Sequence, residues 1–262
     1  MEKYSPSLVF LSEPQTFQCD IQNVTLDMFP LYSSHLNSED LYDQSLALEK
    51  SRAKGGTMLL WPSSLDPYVT ILPTSSPAIL PAMVKMPGFI TSYHIGIYLP
   101  TAGKEDDFIS SLAALNIIIE DILEKTDGEC PIFIRGDGNS SSKNTSRSVL
   151  LNHLITQHSL QKLPIKHNTY HHFIGNGQFD SDLDIVLFSN LPGCSETLSE
   201  VICKNTNPLI DSHHDIVVSS FSLPPAPPPL PPTDNIVAPR IHNNRQKVTW
   251  STEGIVDYSA AV

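Results

Sequence analysis

Hydrophobic residues fall in short blocks bounded by proline or glycine, and in two longer blocks with helical spacing. Residues 7–11 read as a short buried strand that stops at Glu13-Pro14. A mixed pattern over residues 41–54 suits a short helix, Gly55-Gly56 breaks it, and residues 57–62 resume as a strand. Residues 68–72 and 82–86 are further strand candidates, with Pro73, Pro77, Pro81 and Pro87 marking turns or strand ends. Residues 92–99 alternate as a half-buried strand and stop at Pro100. Lys104-Glu105-Asp106-Asp107 then opens a helix whose acids suit the positive end of its dipole. Phe108, Leu112, Leu115, Ile119 and Ile122 recur on one face of it, and Asp127-Gly128 ends it. Residues 131–135 form a buried-type strand running into Gly136-Asp137, and residues 145–158 read as a second helix with Val149, Leu150, Leu154 and Ile155 towards the core. Residues 183–188 and 216–221 are the last strands.

Strand runs that resemble hairpins, combined with strands followed by helices, predict a mixed α/β layered fold. The pattern changes after Phe221, where residues 224–232 are almost all proline and read as an extended polyproline linker. We expect a domain over residues 1–221, a linker over 222–238 and a tail over 239–262.

Composition narrows the class. With 262 residues, 40% of them hydrophobic, the chain can bury a full core. The four cysteines (Cys19, Cys130, Cys194, Cys203) form no Cys-x-x-Cys pair and follow no secretory signal, which predicts reduced thiols in an intracellular protein, nuclear or cytoplasmic and not secreted. No apolar run approaches the roughly 20 residues that span a bilayer, so no membrane is expected. The formal net charge of -12 opposes binding nucleic acid through the overall field. A bound divalent cation reverses the sign locally. Cations also gather near the candidate patches: Lys143 and Arg147 after one, Lys162, Lys166, His167, His171 and His172 before another.

Glu13 and Asp137 each follow an apolar strand, where a side chain projects beyond a sheet edge; the bland alternative is that each acid begins a loop. Mg²⁺ takes oxygen ligands and keeps several waters, so one or two carboxylates suffice. Asn139 stands two residues after Asp137 and can present an amide to phosphate or water. Tyr98, at the end of its strand, can offer a phenol to a phosphate oxygen or simply pack. Asp184 and His214 matter as a pair, because a carboxylate on one imidazole nitrogen fixes the tautomer and turns the other nitrogen towards a phosphate. His167, His171, His172, His213 and His214 leave a transition-metal cluster as a separate possibility.

The patches Ser12-Glu13, Ile97-Tyr98-Leu99-Pro100, Gly136-Asp137-Gly138-Asn139, Ser181-Asp182-Leu183-Asp184 and Ser212-His213-His214 occur in one order. In that order they resemble the endonuclease/exonuclease/phosphatase superfamily, and more closely the endonuclease region of LINE-type retrotransposon polyproteins. The resemblance covers residues 8–221. It implies an α/β/β/α sandwich of two mixed sheets flanked by helices, Mg²⁺ or Mn²⁺ as cofactor, phosphodiester hydrolysis and DNA as the partner. By motif matching, Glu13 and Asp137 would serve the metal, Tyr98 and Asn139 the phosphate, and Asp184 would orient His214; Ser181 matches a flanking motif position. The stretch Lys247-Val248-Thr249-Trp250-Ser251 looks like the link to a reverse transcriptase. Two positions depart from the family pattern. Because Glu13 comes so early, we expect the fold without the first strand, which in the family carries a metal-site Asn, and His213 stands where Asp is usual, with Asp211 and Asp215 beside it as replacements. Three function readings therefore stand together: a DNA endonuclease of retrotransposon origin, an inactive truncated remnant or binding module, and a phosphatase or phosphodiesterase acting on lipid, inositol phosphate or RNA.

Overall fold

The computed structural model describes residues 7–14, 30–37, 56–140, 145–165, 168–174, 177–202 and 213–227, without the side chains of residues 172–179. The helix expected within 41–54, the tail beyond Pro227, Cys19, Cys203, Lys143, Lys166, His167, Asp211 and Ser212 lie outside the described residues.

The central element is a six-stranded sheet of β4 (Val69–Ile71), β5 (Ile79–Val84), β6 (Ser92–Tyr98), β7 (Ile132–Asp137), β11 (Asp184–Ser189) and β8 (Leu160–Lys162), in that order. β6 and β7 run parallel, and the other neighbours are antiparallel. A parallel pair needs a long crossover. Here it is α1 (Glu105–Lys125), and α2 (Ser146–Gln157) follows β7.

Side chains alternate across this sheet. Ile95, Ile97, Ile132, Ile134, Ile185 and Leu187 pack against Phe108, Leu112, Leu115, Ile119 and Ile122 of α1, and against Leu151 and Leu154 of α2. The helical face read from the α1 sequence is therefore the buried one, and each such side chain contributes about 1.5–3 kcal/mol. On α2 the face is turned slightly from the one expected: Leu151 is buried and Val149 is exposed. Thr145 caps that helix, its hydroxyl accepting from the Ser148 N–H.

A second layer covers the opposite sheet face. β1 (Val9–Ser12), β3 (Thr57–Pro62) and β2 (Tyr32–Asn37) pair antiparallel in that order. Leu8, Phe10, Leu59 and Trp61 pack there with Leu80 and Ala82 of β5. The antiparallel pair β12 (Ser195–Ile202) and β13 (Ile216–Ser222) places Val217 and Phe221 against Phe133, Val186 and Phe188. A further antiparallel pair, β9 (Tyr170–Ile174) and β10 (Gly177–Ser181), precedes β11. Among the described residues β1 pairs only with β3, and β13 only with β12. The layered α/β sandwich stands as expected.

Two glycines permit close approaches, Gly96 between the layers and Gly136 between neighbouring strands of the central sheet. A Cβ on Gly96 would lie 2.3 Å from the Phe10 ring, and one on Gly136, whose φ is +135°, would lie 2.0 Å from the Ile97 carbonyl oxygen. β5 begins earlier than its pattern suggested and contains Pro81. The Pro81 carbonyl accepts the Leu72 N–H just past the end of β4, so the ring sits where β4 has run out. The chain divides into compact units Met1–Ala226 and Pro227–Val262. The first runs past Phe221 because Pro225 bridges to Phe89, and the Ala226 N–H donates to the Gly88 carbonyl. No helix among the described residues is long and apolar enough to cross a membrane.

Candidate active site

Three strand ends converge. Asp137 is the last residue of β7 and Asp184 the first of β11, and the antiparallel register places them directly opposite each other. Tyr98 closes β6 and lies beside Asp137 in the parallel register. Glu13 follows β1 with φ +53°, its N–H donating to the Gly56 carbonyl. Ser12 ties the layers together: its hydroxyl donates to the Ile97 carbonyl at 3.1 Å and accepts the Asp137 N–H at 3.2 Å.

Asp137 is buried, with its carboxylate among like charges. Burial and the Asp184 carboxylate push it up to about 7, Glu13 adding to the rise while His214 and the Asn139 amide oppose it. The Tyr98 phenol hydrogen-bonds Glu13, and burial together with that charge and bond pushes it well above the usual phenol range. Such a set of crowded oxygen donors suits a hard divalent cation, which would relieve the charge that burial penalises. Glu13 and Asp137 would hold it. Among the described residues no group of three or more His, Cys, Asp or Glu has metal-cage spacing, so water and substrate oxygens would complete the coordination, as Mg²⁺ commonly requires.

His214 links the two aspartates. Its Nδ1 lies 2.9 Å from Asp184 Oδ2, and its Nε2 lies 3.7 Å from Asp137 Oδ2. The carboxylate only accepts, so Nδ1 carries the proton. Burial pulls this imidazole down, but the Asp184 bond and the charges of Asp184, Asp137 and Glu13 outweigh it and hold the ring above its ordinary value. The arrangement can orient a base or a charge stabiliser towards a phosphate bound beside Asp137.

No family model and no curated protein matches the sequence. Solved structures do match. A 3'-5' exonuclease from Neisseria meningitidis superposes with a TM-score of 0.61 at 16% identity, over 84% of this chain and 91% of that one. The endonuclease domain of TRAS1, a telomere-specific non-LTR retrotransposon, gives 0.56 at 14% identity, over 83% and 98%. An endonuclease/exonuclease/phosphatase family protein from Leptotrichia buccalis gives 0.56 at 12% identity, over 84% and 88%. The chain has the endonuclease/exonuclease/phosphatase fold.

Within the endonuclease/exonuclease/phosphatase fold of this chain, Glu13, Tyr98, Asp137, Asn139, Asp184 and His214 gather at one end of the sandwich. Asn139 is turned inward: its Nδ2 donates to the Leu99 carbonyl at 2.7 Å and Asp137 Oδ2 at 3.0 Å, and its N–H donates to Asp137 Oδ1 at 2.8 Å. Its amide nitrogen thus holds the carboxylate instead of reaching for phosphate. The other described candidates, His213, Asp215 and Ser181, bond elsewhere. His213 directs Nδ1 to the His171 carbonyl at 3.2 Å, Asp215 bonds His171, and Ser181 contributes its carbonyl to the Thr169 N–H. His171 is engaged by carboxylates on both ring nitrogens, which removes it from a histidine metal cluster.

Thr169 was not singled out by the sequence, and Arg147 was named only as a cation near the Gly-Asp-Gly-Asn patch. Buried Thr169 donates its hydroxyl to Asp184 Oδ2, the oxygen that also meets His214. Arg147 forks onto Glu105 at 2.8 and 2.9 Å and donates to the carbonyls of Pro100, Thr101 and Asn139, stapling the loops after β6 and β7. The sequence placed Arg147 beside the Gly-Asp-Gly-Asn patch but not its Glu105 and carbonyl partners, and Thr169 lies in a polar stretch with no signal.

Proposed function

We propose that this chain is a divalent-metal-dependent phosphodiester hydrolase that acts on DNA, an endonuclease of retrotransposon origin. The observation that carries the reading is the Asp184–His214–Asp137 line, with the Glu13 and Tyr98 side chains beside it. The bound Mg²⁺ or Mn²⁺ would supply charge for the phosphate and a lowered pKa for attacking water. Asp137 and Glu13 provide the oxygen donors. Asn139 holds the Asp137 carboxylate in place through both its amide groups. His214, fixed in one tautomer by Asp184, turns Nε2 towards the reacting phosphate, where it accepts or returns a proton. The likeness to the TRAS1 endonuclease and the order of the sequence patches favour DNA and a mobile-element source.

Conversion of supercoiled plasmid to nicked circle, with Mg²⁺ or Mn²⁺ added, tests the reading. Activity is expected to disappear on chelation and in Asp137→Ala and His214→Ala. Cleavage that persists unchanged in both variants overturns it.

A second reading keeps the chemistry and changes the substrate to a small phosphoester or a nucleic-acid end. What favours it is Arg147, whose guanidinium is engaged by Glu105 and three carbonyls, so it offers little grip on a duplex backbone. Hydrolysis of a chromogenic phosphodiester without plasmid nicking would select this reading.

A further inference from the structure

Behind the Asp184–His214 pair stands a second imidazole held by carboxylates. His171 of β9 meets Asp180 Oδ1 through Nδ1 at 2.7 Å and Asp215 Oδ2 through Nε2 at 3.0 Å. A carboxylate accepts, so the two contacts favour protons on both ring nitrogens and a charged ring. Burial works against that charge, but the two carboxylates outweigh it and hold His171 above its ordinary value. The Asp215 side chain is fully buried, whereas Asp180 is partly open to solvent.

The backbone around this ring is laddered on both sides of His214. The His171 N–H donates to the His213 carbonyl at 2.7 Å, and the Asp215 N–H donates to the Thr169 carbonyl at 2.7 Å. Tyr170 bridges to His214 and sets its ring edge-on at a centroid distance of 4.9 Å. Residues 169–171 therefore form a rail against which residues 213–215 are fixed. Thr169, on the same rail, also donates to Asp184. The rail thus sets both members of the Asp184–His214 pair, and the His171 ring is its side-chain bolt.

We propose that His171 is a positioning residue for His214, acting through the Asp215 carboxylate and the His213 carbonyl to set the direction in which the His214 ring projects. The proposal rests on the reading of His214 as the imidazole that faces phosphate. The physical reason is that a small displacement of a catalytic group forfeits much of its effect, and partners one step removed from the reacting atoms commonly matter by about 10- to 100-fold.

The test pairs a spectroscopic readout with kinetics. Imidazole ¹⁵N spectra of the whole chain, recorded at a pH alkaline enough to discharge His214 and with its signals assigned by their loss in His214→Gln, are expected to show the Nδ1–H form in the wild type. In His171→Gln and Asp215→Asn the His214 signals should move to a tautomer average. With a chromogenic phosphodiester, kcat should fall about 10-fold in each, with KM and the Mg²⁺-induced thermal shift held. The double variant should lose no more than either single one. Asp180→Asn changes only the solvent-open half of the bridge and should move both readouts the same way by less; it serves if a variant at the buried half fails to fold. An unmoved His214 spectrum and an unchanged kcat in folded His171→Gln overturn the proposal, as does an Asp180→Asn spectrum that matches the wild type where His171→Gln does not fold. If the wild type hydrolyses nothing yet the His214 tautomer shifts in His171→Gln, the hydrolase reading fails while the positioning link stands.

Discussion

Asp137 lies almost out of reach of water with Asp184 opposite it and Glu13 near, and its raised proton affinity follows from that crowding. Between an unfolded value of about 4 and a folded one of about 7 the native chain binds a proton that the unfolded chain does not. Asp137 therefore contributes stability at acid pH that is lost as pH rises through the folded value. His214, also raised, acts in the same direction. The unfolding midpoint measured in chelator should fall from about pH 5 to about pH 8, and Mg²⁺ should raise it more at the alkaline end, where it no longer competes with a proton. Asp137→Asn should flatten both trends; a metal shift as large at pH 5 as at pH 8 would contradict the account. At Asp184 the expectation is kinetic. Asp184→Asn keeps the shape but can present an N–H to His214 and favour the wrong tautomer, so kcat should drop by about 10²- to 10³-fold with the fold intact by circular dichroism.

Elements place these residues because each ends where its apolar run ends. The close approach of β1 to β6 depends on Gly96, and the turn of β7 towards Asp137 on Gly136. Gly96→Ala should cost roughly 1–3 kcal/mol in denaturant unfolding and displace Glu13 through Phe10. Gly136→Ala should cost more, since it adds a left-handed backbone strain to a clash with a backbone oxygen that cannot swing aside. The same logic explains what could be read in advance. Runs such as Ile132–Asp137 and Asp184–Ser189 are apolar enough to announce strands, and their terminal acids announce a site. β9, β10 and β2 are polar, with His, Ser and Asn in place of alternation, and they become strands because partners pair with them. The rail residue Thr169 is invisible for this reason. Asn139 was legible as a candidate, but not the direction of its amide, since a positive φ and a backbone carbonyl from another loop decide that.

A net charge of -12 means that the protein's overall field repels a polyphosphate, so binding should depend on the divalent ion more than on basic surface. Nucleic-acid affinity measured by fluorescence anisotropy is expected to rise steeply with Mg²⁺ and to show a shallow dependence on KCl, against the steep slope of a protein that grips through many lysines. The compact unit ends at Ala226, beyond the last strand. A chain stopped after Ala226 should keep its thermal midpoint and activity, whereas one stopped after Phe221 loses the Pro225 bridge to Phe89 and the Ala226 bond to Gly88, and should melt earlier.

The Ser12 hydroxyl, which accepts the Asp137 amide while donating to Ile97, makes that amide a gauge of how the two layers slide. Its proton leaves only when the second layer lifts away from the first, so its hydrogen-exchange rate would time the breathing of the sandwich at the point where breathing would separate Glu13 from Asp137. In Ser12→Ala that clock should run faster, even where circular dichroism records no change.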